Sequence, residues 1–415
     1  MTSWRDVRLK DLCTDAGQYG VNVSSGDYVS EGVRLLRTTD ISTGILMPEE
    51  RGVFVSAVPE KRFKLQAGDL LLSRSGTPPG QSYLVRDVDA AATFAGYLVR
   101  FRPRQTQVEP RFLSYVARSA PFQHAIHSEA VASTIQNFNA ERYANIAFQV
   151  PGLSEQRRIA DFLDLETARI DKMSKLQSSA LSKIMERESA VLDHELDALY
   201  EKSGSLPFRR FVVGVDQGSS PQCDAVPAED GEWGVLKVSC LRPGVFDSQA
   251  NKRLPDGTAP DRRSEVREGD LLITRANTPQ LVGSTAVVPQ VRPKLLLSDK
   301  IFRVRLAGGM DPHYVSTVAR GSRVRAACSA ASNGASQSMA NLRFEEIKDW
   351  PIPPVSPDEQ AEFVNRVTHS WRQANALREK INHQLALLAE RRHSLITAAV
   401  TGQLDVTTAQ QAAAV

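Results

Sequence analysis

The chain has 415 residues, of which 41% are hydrophobic and 24% charged, with a formal net charge of +3. This length predicts two or three domains, and the mild charge neither requires nor excludes nucleic acid. No apolar run approaches the roughly 18 residues of a membrane span and the first residues are too polar for a signal peptide, so we expect a cytoplasmic protein. The four scattered cysteines argue against a zinc cluster or a disulfide framework.

Residues 1–152 show short strand-like runs separated by Gly, Pro, Asp and Ser clusters. The runs are 33–36, 53–55, 70–72 and 97–101. One helix is expected from Pro110 to about His127. We interpret this segment as an α/β domain with a mixed sheet, ended by Val150-Pro151-Gly152.

A long amphipathic helix is predicted next, from Ser154 to Tyr200, with Gly204 as its C-terminal cap. Glu166 and Gln177 interrupt its apolar seam, and a seam this narrow requires a partner helix. The seam residues are Ile159, Leu163, Ile170, Met173, Ala180, Ile184 and Val191.

The chain then repeats this organisation. AGDLLLSRSGTPP from Ala67 is answered by EGDLLITRANTPQ from Glu268, and EPRFLSYVAR from Glu109 by DPHYVSTVAR from Asp311. ERESAVL in the first helix is answered by ERRHSLI in a second helix, which starts at a Ser356–Glu359 capping box and ends at Gly402. Matched blocks in the same order indicate a tandem duplication of one unit, a globular domain followed by a long helix.

The predicted fold class is therefore α/β (α+β) globular domains in tandem duplication, separated by a long antiparallel two-helix coiled coil. The predicted segments are domain 1 at 1–152, spacer helix 1 at 153–204, domain 2 at 205–354, spacer helix 2 at 355–405 and a flexible tail at 406–415. Antiparallel helices would relate the two units by a pseudo-two-fold axis in a near-circular arrangement.

Each unit carries an arginine in a loop directly after a strand. The first loop contains Arg74, Ser75, Gly76 and Thr77, and the second contains Arg275, Asn277 and Thr278. The forked donors of arginine suit phosphate oxygens or the paired acceptors of guanine. The alternative is a structural arginine paired with Asp69 or Asp270, and both interpretations stay open.

A second polar cluster occurs further along each unit. Its amides and hydroxyls suit adenine and thymine readout, but it is equally compatible with a solvated loop. In unit one it comprises Ser133, Thr134, Gln136, Asn137 and Asn139, and in unit two Ser332, Asn333, Ser336 and Gln337. We select Gln136, Asn137, Ser336 and Gln337 as candidate DNA-binding residues.

Motifs for catalysis are weak. The chain contains neither a phosphate-binding loop, nor a dinucleotide-binding turn, nor a zinc-ligand spacing. Glu346-Ile347-Lys348 has the E-x-K spacing of a metal-dependent nuclease, with Asp256 or Asp261 as conceivable partners. Its counterpart, Ala144-Asn145-Ile146, has no acid, so we expect no catalytic residue and no metal ligand.

Taken together, the chain resembles the specificity (S) subunit of type I restriction-modification systems. The resemblance is carried by GDLLLSRSG and GDLLITRAN, by LSEQRRIADFLD and SPDEQAEFV at the helix starts, and by AERRHSLITAAVTGQLDV at the end. It implies two target recognition domains, each reading one half of an asymmetric bipartite site in double-stranded DNA. The helices would set the gap and dock two modification (methyltransferase) subunits.

The resemblance also implies a non-catalytic chain without a cofactor of its own. S-adenosylmethionine is expected in the modification subunits, and ATP and Mg in two restriction subunits where these are present. Two alternatives remain: a coiled-coil scaffold that binds proteins and not DNA, and a metal-dependent endonuclease built around Glu346.

Overall fold

The computed structural model describes residues 4–41, 45–57, 60–76, 79–87, 91–130, 137–332 and 339–406. The chain forms two compact units: unit 1 comprises Met1–Ser178 and Asn382–Val415, and unit 2 comprises Ser179–Ile381. Two long helices cross these boundaries, so each unit contains a globular fold and part of each helix. Within the described residues, no helix is long and apolar enough to cross a membrane.

Unit 1 is built around a four-stranded and a three-stranded sheet. Its strands are β1 (Arg5–Arg8), β2 (Gln18–Tyr19), β3 (Val33–Leu36), β4 (Val53–Val55), β5 (Leu70–Ser73), β6 (Ser82–Leu84), β7 (Thr93–Phe94), β8 (Leu98–Phe101) and β9 (Ala147–Val150). The larger sheet has the order β2–β8–β5–β6 and the smaller one β4–β3–β7. Because β3 pairs antiparallel with β4 and parallel with β7, the predicted mixed sheet is confirmed.

The helices of unit 1 differ from prediction at one point. They are α1 (Pro110–Arg118), α2 (Ala120–Ala130), α3 (Ala140–Asn145) and the start of α4 (Leu153–Ser203). A single helix from Pro110 to His127 is wrong, because Ser119 is extended with φ −72° and ψ 152°. Pro121 lacks a backbone N–H and is tolerated only in the first turn of a helix, so a new helix begins there.

Unit 2 repeats both sheets. Its strands are β10 (Leu206–Pro207), β11 (Val212–Gln217), β12 (Gly234–Leu236), β13 (Leu241–Arg242), β14 (Val245–Phe246), β15 (Asn251–Arg253), β16 (Leu271–Thr274), β17 (Ala276–Asn277), β18 (Thr285–Val287), β19 (Leu295–Leu296), β20 (Ile301–Leu306), β21 (Ala340–Asn341) and β22 (Pro351–Ile352). The four-stranded order is β11–β20–β16–β18 and the three-stranded order β15–β12–β19, with β12 and β19 parallel. The repeat seen in the sequence is therefore a repeat of topology.

The helices of unit 2 occur in the same order as those of unit 1. They are α5 (Pro312–Val318), α6 (Ser322–Ser332), α7 (Phe344–Ile347) and, shared with unit 1, α8 (Pro357–Val400). The predicted capping box of α8 is present: the Ser356 N–H donates to Glu359 Oε2 at 2.9 Å, and the Glu359 N–H to Ser356 Oγ at 3.4 Å. Gly204 and Gly402 follow the two long helices with φ of +67° and +75°, as left-handed caps require.

Ion pairs define the direction of the two long helices within unit 2. They are Lys202–Glu359, Glu195–Arg366 at 3.0 Å and Glu188–Arg378 at 3.4 Å. From one ion pair to the next, the residue number on α4 decreases while the residue number on α8 increases, so the two helices run antiparallel there. Within unit 1, Asp171 pairs with Arg392 at 3.3 Å. The near-circular arrangement stays a prediction, as do the proposed domain limits.

The predicted seam of α4 is not equally buried along its length. Ile159, Leu163 and Ile170 are at most 2% exposed. Ile159 and Leu163 also pack into the hydrophobic core of the globular fold of unit 1. Met173 is 41% exposed, so its assignment to a buried seam is wrong. A two-helix contact covers only a narrow stripe, and residues at its margin remain partly wet.

Candidate nucleic-acid interface

The arginine loop of unit 1 is joined to the second polar segment of the same unit. Arg74 Nε donates to Asn137 Oδ1 at 3.2 Å, and Ser75 forms an isolated β-bridge with Asn137. The Phe138 N–H donates to the Arg74 carbonyl oxygen at 2.8 Å. The Arg74 guanidinium also lies over the Tyr19 ring, 5.0 Å from its centroid. Two predicted candidates, Arg74 and Asn137, are therefore in direct contact.

Unit 2 holds its arginine loop in the same way. β17 pairs with β21, which places Asn277 opposite Ala340, and the Leu342 N–H donates to the Arg275 carbonyl oxygen at 2.8 Å. The Asn277 side chain accepts from the Thr278 N–H at 2.8 Å, so it shapes its own turn. The backbone scaffold is shared by both units, while the side chains upon it differ.

Neither loop arginine pairs with the aspartate proposed as its structural partner. Asp69 instead accepts from Arg102 at 2.7 and 2.8 Å, and Asp270 lies 3.3 Å from Arg303. Arg102 lies directly after β8, whereas Arg303 lies within β20 opposite Leu272, as Arg100 lies opposite Leu71 in unit 1. The two aspartates are therefore held by arginines at different positions of equivalent strands. The structural interpretation of Arg74 and Arg275 thus loses the partners on which it depended.

A cleft of about 550 Å³ with both polar and apolar lining residues lies beside the loop of unit 1. The Arg74 N–H donates to the carbonyl oxygen of Tyr97, whose side chain lines the cleft and is 63% exposed. Arg37 Nη2 donates to Asp40 Oδ1 at 3.0 Å, and this bond raises the pKa of the guanidinium, which stays charged. We name this the first cleft and define it by Asn22, Ser24, Tyr28, Arg37, Thr38, Thr39 and Tyr97.

The equivalent cleft of unit 2 has a volume of about 430 Å³. It also adjoins the arginine loop, because the Arg275 N–H donates to the Lys300 carbonyl oxygen at 2.8 Å. Arg275 Nη1 lies 3.4 Å from the Asp299 carbonyl oxygen. We name this the second cleft and define it by Ser220, Cys223, Lys237, Val238, Ser239, Lys252, Asp299 and Lys300.

The two clefts were not predicted from the sequence, although the sequence contains a repeated pattern at one segment of each cleft. Arg37-Thr38-Thr39 follows a strand in one unit and Lys237-Val238-Ser239 follows the equivalent strand in the other. Each cationic residue is followed by small or hydroxylated side chains. Aligning the repeat around these strands would have identified the segments, but not their contact with the arginine loops.

The remaining predicted residues have mixed outcomes. Gly76 is exposed with φ +124°, a conformation that favours glycine. Asn139 caps α3 by accepting from the Arg142 N–H at 2.9 Å, so its role is structural. Ser332 ends α6, and several candidates lie outside the described residues: Thr77, Ser133, Thr134, Gln136, Asn333, Ser336 and Gln337.

The E-x-K motif is engaged in local pairs. The Glu346 side chain accepts from the Arg343 guanidinium at 2.8 and 3.0 Å, and Lys348 pairs with Glu345. The Asp261 side chain accepts from the Arg263 N–H at 3.2 Å. No group of three or more His, Cys, Asp or Glu residues suited to a metal ion occurs in the part of the chain that the structure describes.

The family model and the relatives that match this chain are all named as type I restriction specificity domains or subunits. The family model described as "Type I restriction modification DNA specificity domain" matches residues 1–179. The chain is 24% identical over 412 residues to the EcoKI specificity subunit of Escherichia coli strain K12, covering 93% of this chain and 85% of that one. It is 32% identical over 150 residues to the EcoEI specificity subunit of Escherichia coli, covering 35% of this chain but only 25% of that relative.

The fold has a solved counterpart. A structure from a study of complex assembly and conformational transition of the type I R-M system aligns with a TM-score of 0.67. It covers 97% of this chain and 98% of its own, at 16% sequence identity. Because the sequence identity is only 16%, this similarity shows a shared fold and carries no further conclusion.

Proposed function

We propose that the chain is a specificity subunit of a type I restriction-modification complex and reads DNA sequence for it, because that family's model matches residues 1–179 and a specificity subunit aligns over 93% of the chain. Each globular unit would read one half of a bipartite site in double-stranded DNA. The single observation that supports this role best is the duplicated arrangement of an arginine loop beside a cleft whose lining includes cations and hydroxyls. One such feature would be unremarkable, whereas two on the same backbone scaffold suit a protein that reads two half-sites.

The chemistry of each loop suits a nucleic acid. Arg74 is partly exposed, and its contacts with Asn137 and Tyr19 hold the guanidinium in place. A positioned guanidinium can donate two hydrogen bonds to guanine or to phosphate. The cations and hydroxyls of the adjoining cleft add further donors of the kind that contact phosphate oxygens and base edges.

The differences between the clefts favour an asymmetric target. Arg37 and Tyr97 in the first cleft are replaced by Lys237 and Lys300 in the second. Lysine is a point charge without the forked geometry of arginine, so it selects among base edges differently. Two different half-sites are therefore expected, and not a palindrome.

The partners and cofactors follow from this role. We propose two methyltransferase subunits docked on the helices, with S-adenosylmethionine bound in those subunits and not in this chain. Restriction subunits with ATP and Mg would join where the system includes them. The chain itself would be non-catalytic.

The test uses the complex with its modification subunits and duplexes in which one half-site is scrambled. Arg74→Ala should weaken discrimination at one half-site and Arg275→Ala at the other. Loss of a good bidentate contact corresponds to about 1–3 kcal/mol, or roughly 5- to 150-fold in affinity. Measured affinities for native and half-scrambled duplexes give the effect of each variant at each half.

Arg104→Ala is the matched control, because it removes the same charge from an exposed arginine whose side chain donates to the Asp11 carbonyl oxygen. It should leave discrimination intact. If Arg74→Ala and Arg275→Ala both bind and methylate the native site like the unaltered protein, these residues are not readers. Binding that does not weaken as salt rises would instead favour the protein-only scaffold.

A further inference from the structure

A cavity of about 360 Å³ in unit 1 shares no lining residue with either cleft. It is formed where β6 begins, where α1 ends and along the last third of α8. Two arginines from different elements, Arg118 of α1 and Arg392 of α8, contribute to its wall. Its lining also includes Gly80, Ser82, Gln123 and His393.

Arg118 is largely withdrawn from water without full hydrogen bonding. Its Nη2 donates to Ser114 Oγ at 3.2 Å, and its guanidinium lies 5.7 Å from the centroid of the Tyr115 ring. Among the described residues its buried Nε–H has no hydrogen-bond partner. Burial lowers the pKa of Arg118, and the nearby charge of Arg392 lowers it further.

Arg392 is less enclosed, because its side chain is 32% exposed. Its Nε is nevertheless buried and makes no hydrogen bond of good geometry to the described residues. Its ion pair is with Asp171, at 3.3 Å from Nε and with a long 3.5 Å hydrogen bond from Nη2. The Asp171 side chain is 55% exposed, so water screens this pair.

The internal repeat allows these two arginines of unit 1 to be compared with the matching residues of unit 2. Arg118 and Arg320 are the last residues of the matched EPRFLSYVAR and DPHYVSTVAR blocks. Arg392 corresponds to Glu188 in the matched ERRHSLI and ERESAVL blocks. In unit 2 the Glu188 carboxylate accepts from Arg320 at 3.2 Å and pairs with Arg378 at 3.4 Å. The anion that neutralises the buried arginine of unit 2 is thus replaced by a cation in unit 1.

We infer that the cavity of unit 1 binds a small oxyanion, a phosphate or a carboxylate, between Arg118 and Arg392. The anion would take the place that the Glu188 carboxylate occupies in unit 2. Two forked guanidinium groups match the geometry of such an oxyanion. This site is independent of the proposed DNA role, because it uses neither an arginine loop nor a cleft.

The test is thermal unfolding of the purified full chain at constant pH and ionic strength, with chloride replaced stepwise by inorganic phosphate or by acetate. A ligand that binds only the folded state raises the melting temperature in a saturable way. We expect a saturable rise of several degrees with at least one of the two anions. The anion that gives it identifies the source chemistry as phosphate or carboxylate.

Arg392→Glu should abolish this response, because it places a carboxylate beside Arg118 as in unit 2. The variant should melt in chloride no lower than the unaltered chain. Arg391→Glu is the matched control: the same change of charge on the adjacent, exposed residue should leave the anion response in place. An unaltered chain that responds to neither anion, or an Arg392→Glu chain that responds as before, would overturn the inference.

Discussion

At the scale of single residues, a buried glutamine connects each globular fold to its long helix. Gln156 and Gln360 are both 1% exposed. Gln156 accepts from the Glu109 N–H at 2.9 Å and donates to the Pro151 carbonyl oxygen at 2.9 Å. Gln360 makes the same bonds in unit 2, accepting from the Asp311 N–H at 2.8 Å and donating to the Val355 carbonyl oxygen at 3.0 Å. The start of each long helix is therefore fixed by side-chain hydrogen bonds as well as by packing.

Gln156→Leu should lower the free energy of unfolding by about 2–3 kcal/mol, because a partly buried N–H and a buried carbonyl oxygen lose their partner. Urea unfolding measures the change. Gln384→Leu, an exposed position of α8, is the control and should stay within about 0.5 kcal/mol of the unaltered chain. Equal effects of the two substitutions would show that the buried amide does not stabilise the junction.

Two buried cysteines predict how stability changes in alkali. Burial raises the pKa of Cys13 and of Cys240 from 9.0 to about 12. A pKa raised on folding contributes stability that is complete below pH 9 and is lost as the pH rises toward 12. In that window each thiol should reduce the free energy of unfolding by about 1.4 kcal/mol per pH unit.

Urea unfolding in reducing buffer between pH 8 and pH 10.5 measures this slope. Cys13→Ala and Cys240→Ala should each make it shallower. Cys223 is only partly buried, so Cys223→Ala should change the slope less. A slope that neither of the first two substitutions alters would contradict the assignment to these thiols.

At the scale of elements, strands and helix ends could be predicted from the sequence wherever the pattern that defines them is local. β3 and β4 match the predicted runs, since short apolar stretches between turn residues leave few alternatives. The capping box and the terminal glycines located the ends of the long helices. The exposure of Met173 could not be predicted, because heptad spacing defines a face of a helix and not how much of that face its neighbours cover.

In the candidate site, too, local features were predictable from the sequence and long-range contacts were not. Arg74, Asn137 and their counterparts were identifiable as polar residues in repeated loops. That Arg74 Nε bonds Asn137 Oδ1 depends on a contact across 63 residues of chain, which local patterns do not encode. The first cleft is lined by three separate segments and the second by four, so the clefts became visible only in the folded units.

In unit 2, the Glu188 carboxylate of α4 lies between two arginines, Arg378 of α8 and Arg320 of the globular fold. The side chain of Glu188 is 17% exposed and that of Arg320 18%. Glu188→Gln would leave both arginines without their counterion, and we expect a loss of roughly 2 kcal/mol, below the 3–5 kcal/mol of a fully buried pair.

Glu186→Gln tests the same chemical change at an exposed position of the same helix and should have little effect. Urea unfolding of both variants makes the comparison. A similar loss from each would mean that Glu188 acts through net charge and not through its ion pairs.

At the scale of the whole molecule, the proposed role assigns the long helices a measuring function. They contain 51 and 44 residues, and the shorter one is about 65 Å long at 1.5 Å per residue. The units are connected through both helices, so a change in one helix alone would disturb the pairing of the other. A test of spacing must therefore change the two helices together.

Inserting one heptad into the middle of both α4 and α8 preserves the phase of the apolar seam and adds about 10 Å to the pair. We expect the gap between the half-sites to grow by about three base pairs, since DNA rises about 3.4 Å per base pair, while both half-sites keep their sequence. Mapping methylated adenines in cells that express the lengthened chain with its modification subunits measures the gap. A heptad inserted into α4 alone is the control and should abolish methylation, because the two helices no longer match in length. An unchanged gap in the doubly lengthened protein would exclude the helices as the element that sets the spacing.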